Sequence, residues 1–264
     1  MKVTINDVAD RAGVSIKTVS RVMNNEPSVK KATLEKVMAA IAELNYQPNA
    51  AARNLASTKS YTIGYIYDNP NAYYVIDMQR GLLDTCRNNG YELLIHPTNA
   101  KSPHIVEEVL ELVQRSRLAG LVLTPPFSEM PDIVSALEAH DVEFVRIISG
   151  STPSPKLSNC VLIDDFTAAF KITNHLLELG HTDIAFLCGD EEHSSSGERL
   201  AGFKAALTKR GIQANAKFIV PGSYSFESGV NGAKQLLNLP QKPTAIFACN
   251  DEIAAGALFS ARLA

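Results

Sequence analysis

Between Thr4 and Asn24 the chain repeats apolar residues with a helical period, breaks once at a glycine and then resumes the period. Ile5, Val8, Ala9 and Ala12 fall at i, i+3, i+4 and i+7, one face of a helix. Thr4 is placed to cap that helix, with Asp7 three residues on to complete the cap. Gly13 supplies a sharp turn, Val14 points back to the core, and Ser15 can cap a second helix, Ile16 to Asn24, with Val19, Val22 and Met23 inside. Two short helices joined this way form a helix-turn-helix, and the second is of the kind that lies in a DNA major groove.

A third amphipathic stretch, with Leu34, Val37, Met38, Ile41 and Leu44 on one face, provides the rest of a small three-helix core. The outer positions of the second helix carry Ile16, Lys17, Ser20 and Arg21, side chains suited to a groove. Charge is uneven along the chain. Residues 1–60 hold 9 Lys and Arg against 5 Asp and Glu, whereas residues 61–264 hold 16 against 23. A basic head on an acidic body suits a protein that lays its head on phosphates. Pro48 ends the preceding element, and Asn49 can cap a short helix through Ala52 and Leu55. Isolated helices in water need about 12–15 residues, so this segment is expected either to fold on DNA or to serve as a plain linker. In the first case two copies pair in a minor groove, with Leu55 as the wedge.

From Tyr61 onward, short β-rich runs alternate with amphipathic helices. Strands are predicted at 62–67, 92–96, 120–124 and 143–148, with helices at 75–89, 105–115 and 132–139 between them. The Ser- and Pro-rich run 150–155 interrupts the rhythm, which restarts with strands at 160–163, 183–188, 218–220 and 244–248 and helices at 166–179, 198–210, 227–238 and 252–264. This alternation implies parallel sheets with helices on both faces, here as two lobes, 61–150 and 151–264, after a headpiece at 1–48 and a hinge at 49–60. Ligands of such sheets sit beyond the carboxyl ends of the strands.

Residues just past those ends are therefore candidates. Tyr73 and Tyr74 offer flat faces with hydroxyl tips to a sugar or base ring, or one of them packs the lobe. Arg199, expected at a helix N-terminus where a cation is disfavoured, needs a ligand or a carboxylate partner. Asn250 and Asp251 can bridge vicinal hydroxyls or cap the next helix. Asp164, beside Asp165, reads as a helix cap rather than a catalytic acid, and His181 as a structural residue of a helix-to-strand turn. Cys86, Cys160, Cys188 and Cys249 are far apart and read as reduced thiols, not a disulfide frame or zinc site. No nucleotide-binding glycine motif, nucleophile elbow or metal-ligand spacing occurs, so no cofactor and no enzyme activity are expected. The absence of a signal-peptide core or a membrane-length apolar run points to the cytoplasm and to no membrane partner.

The residues Thr4-Ile5-x-Asp7-Val8-Ala9, Gly13-Val14-Ser15, Thr18-Val19-Ser20-Arg21-Val22-x-Asn24 and Leu44-Asn45-Tyr46-x-Pro48-Asn49-x-x-Ala52-Arg53-x-Leu55 resemble the headpiece of the lac repressor/purine repressor (LacI) family. The likeness continues through Gly180-His181-x-x-Ile184-Ala185, Arg199-Leu200-x-Gly202-Phe203 and Asn250-Asp251-x-x-Ala254-x-Gly256-Ala257. The resemblance implies an all-α headpiece followed by a two-lobed α/β body like a periplasmic binding protein. It also implies a regulator, expected to be a repressor of carbohydrate genes, that binds a palindromic DNA operator as a homodimer or tetramer and answers to a small-molecule effector, expected to be a carbohydrate. The DNA-facing set is then Thr4, Ser15, Ile16, Lys17, Thr18, Ser20, Arg21, Asn24, Asn49, Ala52 and Leu55. The effector-facing set is Tyr73, Tyr74, Arg199, Tyr224, Asn250 and Asp251. Where purine-binding relatives carry an acid after the fourth strand, this chain has Ile148, Ser149 and Gly150, which favours a polyol over a purine. Alternatives are a purine or other metabolite as effector, or a sugar-binding module with no regulatory role. Relatives run on beyond the position of Ala264, so an incomplete second lobe is expected.

Overall fold

The computed structural model describes residues 3–23, 26, 28–46, 60–69, 71–150 and 159–264. They form two compact units, 1–60 and 61–264.

The first unit holds α1 (Ile5–Ala12), α2 (Ile16–Met23) and α3 (Lys31–Glu43). The expected cap of α1 is present: the Asp7 carboxylate accepts from the Thr4 N–H and from its hydroxyl, both at 2.7 Å. Gly13 adopts φ 65° and ψ 39°, and the Val14 N–H closes back on the Ala9 carbonyl at 3.0 Å. This conformation costs glycine nothing and strains other residues. Ser15 caps α2 by accepting from the Thr18 N–H at 3.2 Å. Val8, Ala9, Val19, Val22, Val37 and Ala40 make the core, with Ile41 and Leu44 packed against it. The expected inner face of α3 is corrected at two positions, because Leu34 is 37% and Met38 52% exposed. The buried stripe instead runs through Val37, Ala40, Ile41 and Leu44, at i, i+3, i+4 and i+7, where the small Ala40 lets α3 approach closely.

The second unit opens with β1 (Thr62–Tyr67), α4 (Ala72–Asn88), β2 (Glu92–Pro97), α5 (Ile105–Ser116), β3 (Gly120–Leu123), α6 (Pro131–Ala139), β4 (Phe144–Ser149) and β5 (Cys160–Ile163). It continues with α7 (Asp165–Glu178), β6 (Ile184–Leu187), α8 (Ser194–Lys209), β7 (Ile219–Val220), α9 (Phe226–Leu237), β8 (Ala245–Ala248) and α10 (Asp251–Leu263). The strands form two parallel sheets, ordered β2-β1-β3-β4-β5 and β7-β6-β8. The expected lobe boundary at 150/151 is corrected: β5 pairs with β4 in the register Arg146↔Cys160 to Ser149↔Ile163 and so belongs to the first sheet. Strand–helix alternation shows that a strand exists, while backbone pairing decides which sheet it joins.

The first sheet packs around Ile66, Leu121, Leu123 and Phe127, and the second around Phe186, Phe203 and Phe247. Phe186 lies 5.1 Å from Phe203 and 5.0 Å from Phe247 between ring centroids. Two helices begin earlier than their apolar period implies. Asn71 caps α4 by accepting from the Tyr74 N–H at 3.1 Å. α8 starts at Ser194, whose N–H is accepted by the Glu129 carboxylate, 65 residues away in sequence. Among the described residues the four cysteines form no disulfide, and two of them, Cys86 and Cys249, are buried. Among the described residues no helix is long and apolar enough to cross a membrane.

Candidate functional site

Both sheets reverse their strand order at an inner strand. In the first, β1 lies between β2 and β3; in the second, β6 lies between β7 and β8. Loops leave such a switch point in opposite directions and open a crevice beyond the carboxyl ends of the strands. Here the two crevices face one cavity of about 150 Å³. The first sheet contributes Asn69, Asn71 and Tyr74 after β1, Pro125 after β3 and Ser149 at the end of β4. The second contributes His193 and Ser195 after β6 and Asn250 after β8.

The charged centre of the cavity is Arg199 with Asp165. Arg199 donates to Asp165 Oδ1 through Nε at 2.8 Å and Nη2 at 2.7 Å, and to the Cys249 carbonyl through Nη1 at 2.6 Å. The Ser149 hydroxyl donates to the other oxygen, Asp165 Oδ2, at 2.7 Å. The Asp165 side chain is only 6% exposed, so its charge is compensated by these contacts more than by water. Burial is the largest influence on the Arg199 pKa and pulls it down, but Asp165 together with Tyr224 and Cys249 more than offsets it, and the net shift is upward. Close packing of α7 and α8 permits the pair: a Cβ on Gly202 would sit 2.2 Å from the Phe166 carbonyl oxygen. Arg199 thus lies in the second turn of α8, not at its N-terminus as expected, and it has found the carboxylate partner that the sequence called for.

Tyr224 forms one wall. Its hydroxyl is within 2.8 Å of Ser196 Oγ and 3.1 Å of Ser195 Oγ, and its ring meets the His193 ring edge-on at 5.4 Å. A Cβ at position 189 would lie 2.3 Å from that ring, so Gly189 makes room for it. Burial pushes the Tyr224 phenol up to about 12. Tyr74 lines the opposite wall, and its phenol also rises to about 12, through burial first and then through Tyr65, Asp165 and Glu129 nearby. Asn250 caps α10, its Oδ1 accepting from the Ile253 N–H at 2.9 Å, and still faces the cavity.

Two members of the expected effector set do not line this cavity. Tyr73 is 73% exposed and does not line the cavity, because α4 begins before it and its helical position turns it outward. Asp251, the first residue of α10, borders the wider groove along β8 instead of the cavity. Sequence reasoning passed over Ser149, Ser195 and, above all, Asp165. Asp164 does cap α7, accepting from the Thr167 N–H at 2.8 Å. With one acid of the pair occupied as a cap, the second was the available signal for a partner to Arg199. His181 holds Thr244 Oγ1 at 3.0 Å, the structural role expected of it.

On the headpiece, Ile16 is 49% exposed, and Lys17 and Arg21 stand one turn apart on the same outer surface of α2. Arg21 meets Glu26 at 3.5 Å with both side chains about half exposed, a pair too solvated to hold the guanidinium. Ser20 is half-buried beside them, and the Thr18 hydroxyl is engaged with that of Ser15 at 2.9 Å. Thr4 is exposed at the α1 cap. Asn24, Asn49, Ala52 and Leu55 lie outside the described residues, as does the expected hinge helix.

Residues 4–49 match the family described as bacterial regulatory proteins, lacI family, and residues 60–264 match periplasmic binding proteins and sugar binding domain of LacI family. Catabolite control protein A of Priestia megaterium is 34% identical over 266 residues, covering 99% of this chain and 78% of that protein. The HTH-type transcriptional repressor PurR of Erwinia tasmaniensis is 35% identical over 262 residues, covering 98% and 75%. Among solved structures, the lac repressor dimer bound to operator and the anti-inducer ONPF aligns with a TM-score of 0.76 at 30% identity, covering 100% of this chain and 78% of that one. A complex of the transcriptional regulator CelR with cellobiose aligns with a TM-score of 0.68 at 25% identity, covering 99% and 78%.

Proposed function

This chain belongs to the LacI family of bacterial regulatory proteins, and from that premise we propose that its headpiece reads a palindromic operator as a homodimer while a small carbohydrate in the cleft of its body controls that binding. The family makes it a DNA-binding transcription regulator with an effector domain, not an enzyme. The observation that carries the effector reading is the convergence of both switch points on one cavity with the Arg199–Asp165 ion pair among its lining residues. One structural relative is described in complex with cellobiose, which supports a sugar ligand.

In this reading Lys17 and Arg21 reach base edges or phosphates, and Ile16 meets a thymine methyl. Thr4, Ser15, Thr18 and Ser20 serve the backbone, and residues 49–60 act as the hinge, with Asn49, Ala52 and Leu55 at the minor groove. Arg199, Asn250, Tyr74 and Tyr224 hold the effector, whose binding favours one lobe arrangement and releases DNA. A ligand with equal affinity for both arrangements would shift nothing. The test is an operator titration of the chain and of Arg199→Ala against a panel of sugars. The variant should bind operator like the parent and fail to respond to any sugar that releases the parent. A normal response from the variant removes the cleft from the mechanism.

A further inference from the structure

The proposed site contains a device that sorts ligands by charge. Among the residues lining the cavity, Arg199 brings a positive charge and Asp165 a negative one, and the two are bonded to each other at 2.7 and 2.8 Å. Arg199 spends a third N–H on the Cys249 carbonyl at 2.6 Å, and Asp165 accepts a further bond from Ser149. A guanidinium has five N–H donors, so two remain for a ligand, and the carboxylate keeps spare lone pairs. What faces the cavity is therefore a neutral pair offering both donors and acceptors. Asn71 and Asn250, which also line the cavity, use their Oδ1 atoms as helix caps, so their amide N–H groups are not spent on those caps.

We infer that Asp165 is the specificity-determining residue of the cleft: by neutralising Arg199 it makes the site take an uncharged polyol and reject the phosphate ester or carboxylate of the same sugar. The inference rests on the effector reading above. Its physical basis is that a hydroxyl both donates and accepts, and so can satisfy Arg199 and Asp165 together. A phosphate or carboxylate only accepts, and it would approach the buried Asp165 carboxylate, which has its own sign. To bond Arg199 fully it would have to displace Asp165 and leave that acid buried with no compensating charge, held only by the Ser149 hydroxyl.

The test uses matched triplets: glucose, glucose 6-phosphate and glucuronate, and the corresponding galactose compounds. Binding to the full chain is measured by calorimetry. A neutral sugar is expected to bind, with its phosphate and acid weaker by about tenfold or more. Asp165→Asn should narrow that gap about tenfold by gaining affinity for the anions, since it frees the Arg199 charge while keeping the shape. Binding of an anion as tightly as its neutral partner, or of no member of either triplet, overturns the inference even if Asp165→Asn fails to fold. So does an unchanged gap in a folded Asp165→Asn. Arg199→Ala separates the two readings. If it leaves neutral-sugar binding intact, the cleft assignment itself has failed. If it abolishes binding while the parent takes anions equally well, only the charge filter has failed.

Discussion

The carboxylate of Glu129, in the short turn after β3, accepts a hydrogen bond from the backbone N–H of Ser194, the first residue of α8, at 3.1 Å. Glu129 follows a strand of the first sheet and Ser194 follows a strand of the second, so the contact links the two lobes. A carboxylate at a helix N-terminus also meets the positive end of the helix dipole. Beside it, Lys101 approaches Glu192 at 3.4 Å, but both of those side chains are mostly exposed and add little.

Glu129→Ala is accordingly expected to lower the stability of the body by roughly 0.3–1 kcal/mol and to speed amide exchange at Ser194. Glu129→Gln keeps an acceptor and loses the charge, so it should fall between the parent and the alanine variant. Exchange at Ser194 that is unchanged in Glu129→Ala would show that the contact carries no weight.

Two glycines of α8 predict opposite signs for the same substitution. At Gly202 an added Cβ meets the Phe166 carbonyl oxygen at 2.2 Å, whereas at Gly197 it meets nothing within 4 Å. Gly202→Ala must push α7 from α8, at a cost of about 1–3 kcal/mol, and should weaken ligand binding by displacing Arg199 from Asp165. Gly197→Ala should stabilise by roughly 0.5–1 kcal/mol, because it removes only the entropic penalty of glycine within a helix. Urea denaturation of both variants checks the pair. Equal effects would mean that the packing of these two helices does not depend on Gly202.

These contacts mark the limit of what the sequence could show. Local signals were legible: the Thr4–Asp7 cap, the turn at Gly13 and most strands and helices of the body stand close to where periodicity puts them. Contacts between distant segments were not. The first N–H of α8 is bonded to Glu129, and β5 joins the first sheet because of its pairing with β4. The partner of Arg199 lies 34 residues earlier, in an acidic pair whose first member had an obvious local role as a cap. The inner face of α3 was misread at Leu34 and Met38 because large apolar residues at helical spacing outweighed Ala40, whose value lies in being small.

The cap of α1 makes headpiece stability depend on pH in a defined direction. The Asp7 carboxyl is held below its ordinary value of 3.8, first by the hydrogen bond from the Thr4 hydroxyl and then by that from the Thr4 N–H. A carboxylate depressed in the folded state contributes stability that is fully present above the unfolded value and is lost as pH falls through the folded one. Helix content at 222 nm should therefore begin to decline below about pH 4, with Asp7→Asn less stable than the parent at pH 7 and less dependent on pH. Parallel acid profiles for the two would remove Asp7 from the account.

The outer face of α2 makes the sharpest demand on the DNA reading. Arg21 and Lys17 stand one turn apart, beside the exposed Ile16, but they are expected to fail differently. Arg21 has the planar fork that reads guanine O6 and N7 together, and Arg21→Ala should cost about 1–3 kcal/mol on the cognate operator and much less on unrelated DNA. Lys17 is nearer the helix N-terminus, and if it meets a phosphate, Lys17→Ala should weaken cognate and unrelated DNA alike and reduce the salt slope by about one. Glu26→Ala frees Arg21 from its solvated partner and should change operator affinity by no more than the ~1 kcal/mol that such exposed pairs contribute. Titrations over a range of salt, on an operator selected with the parent protein, separate these outcomes. Unchanged affinity and slope for both Lys17→Ala and Arg21→Ala would take α2 out of the groove.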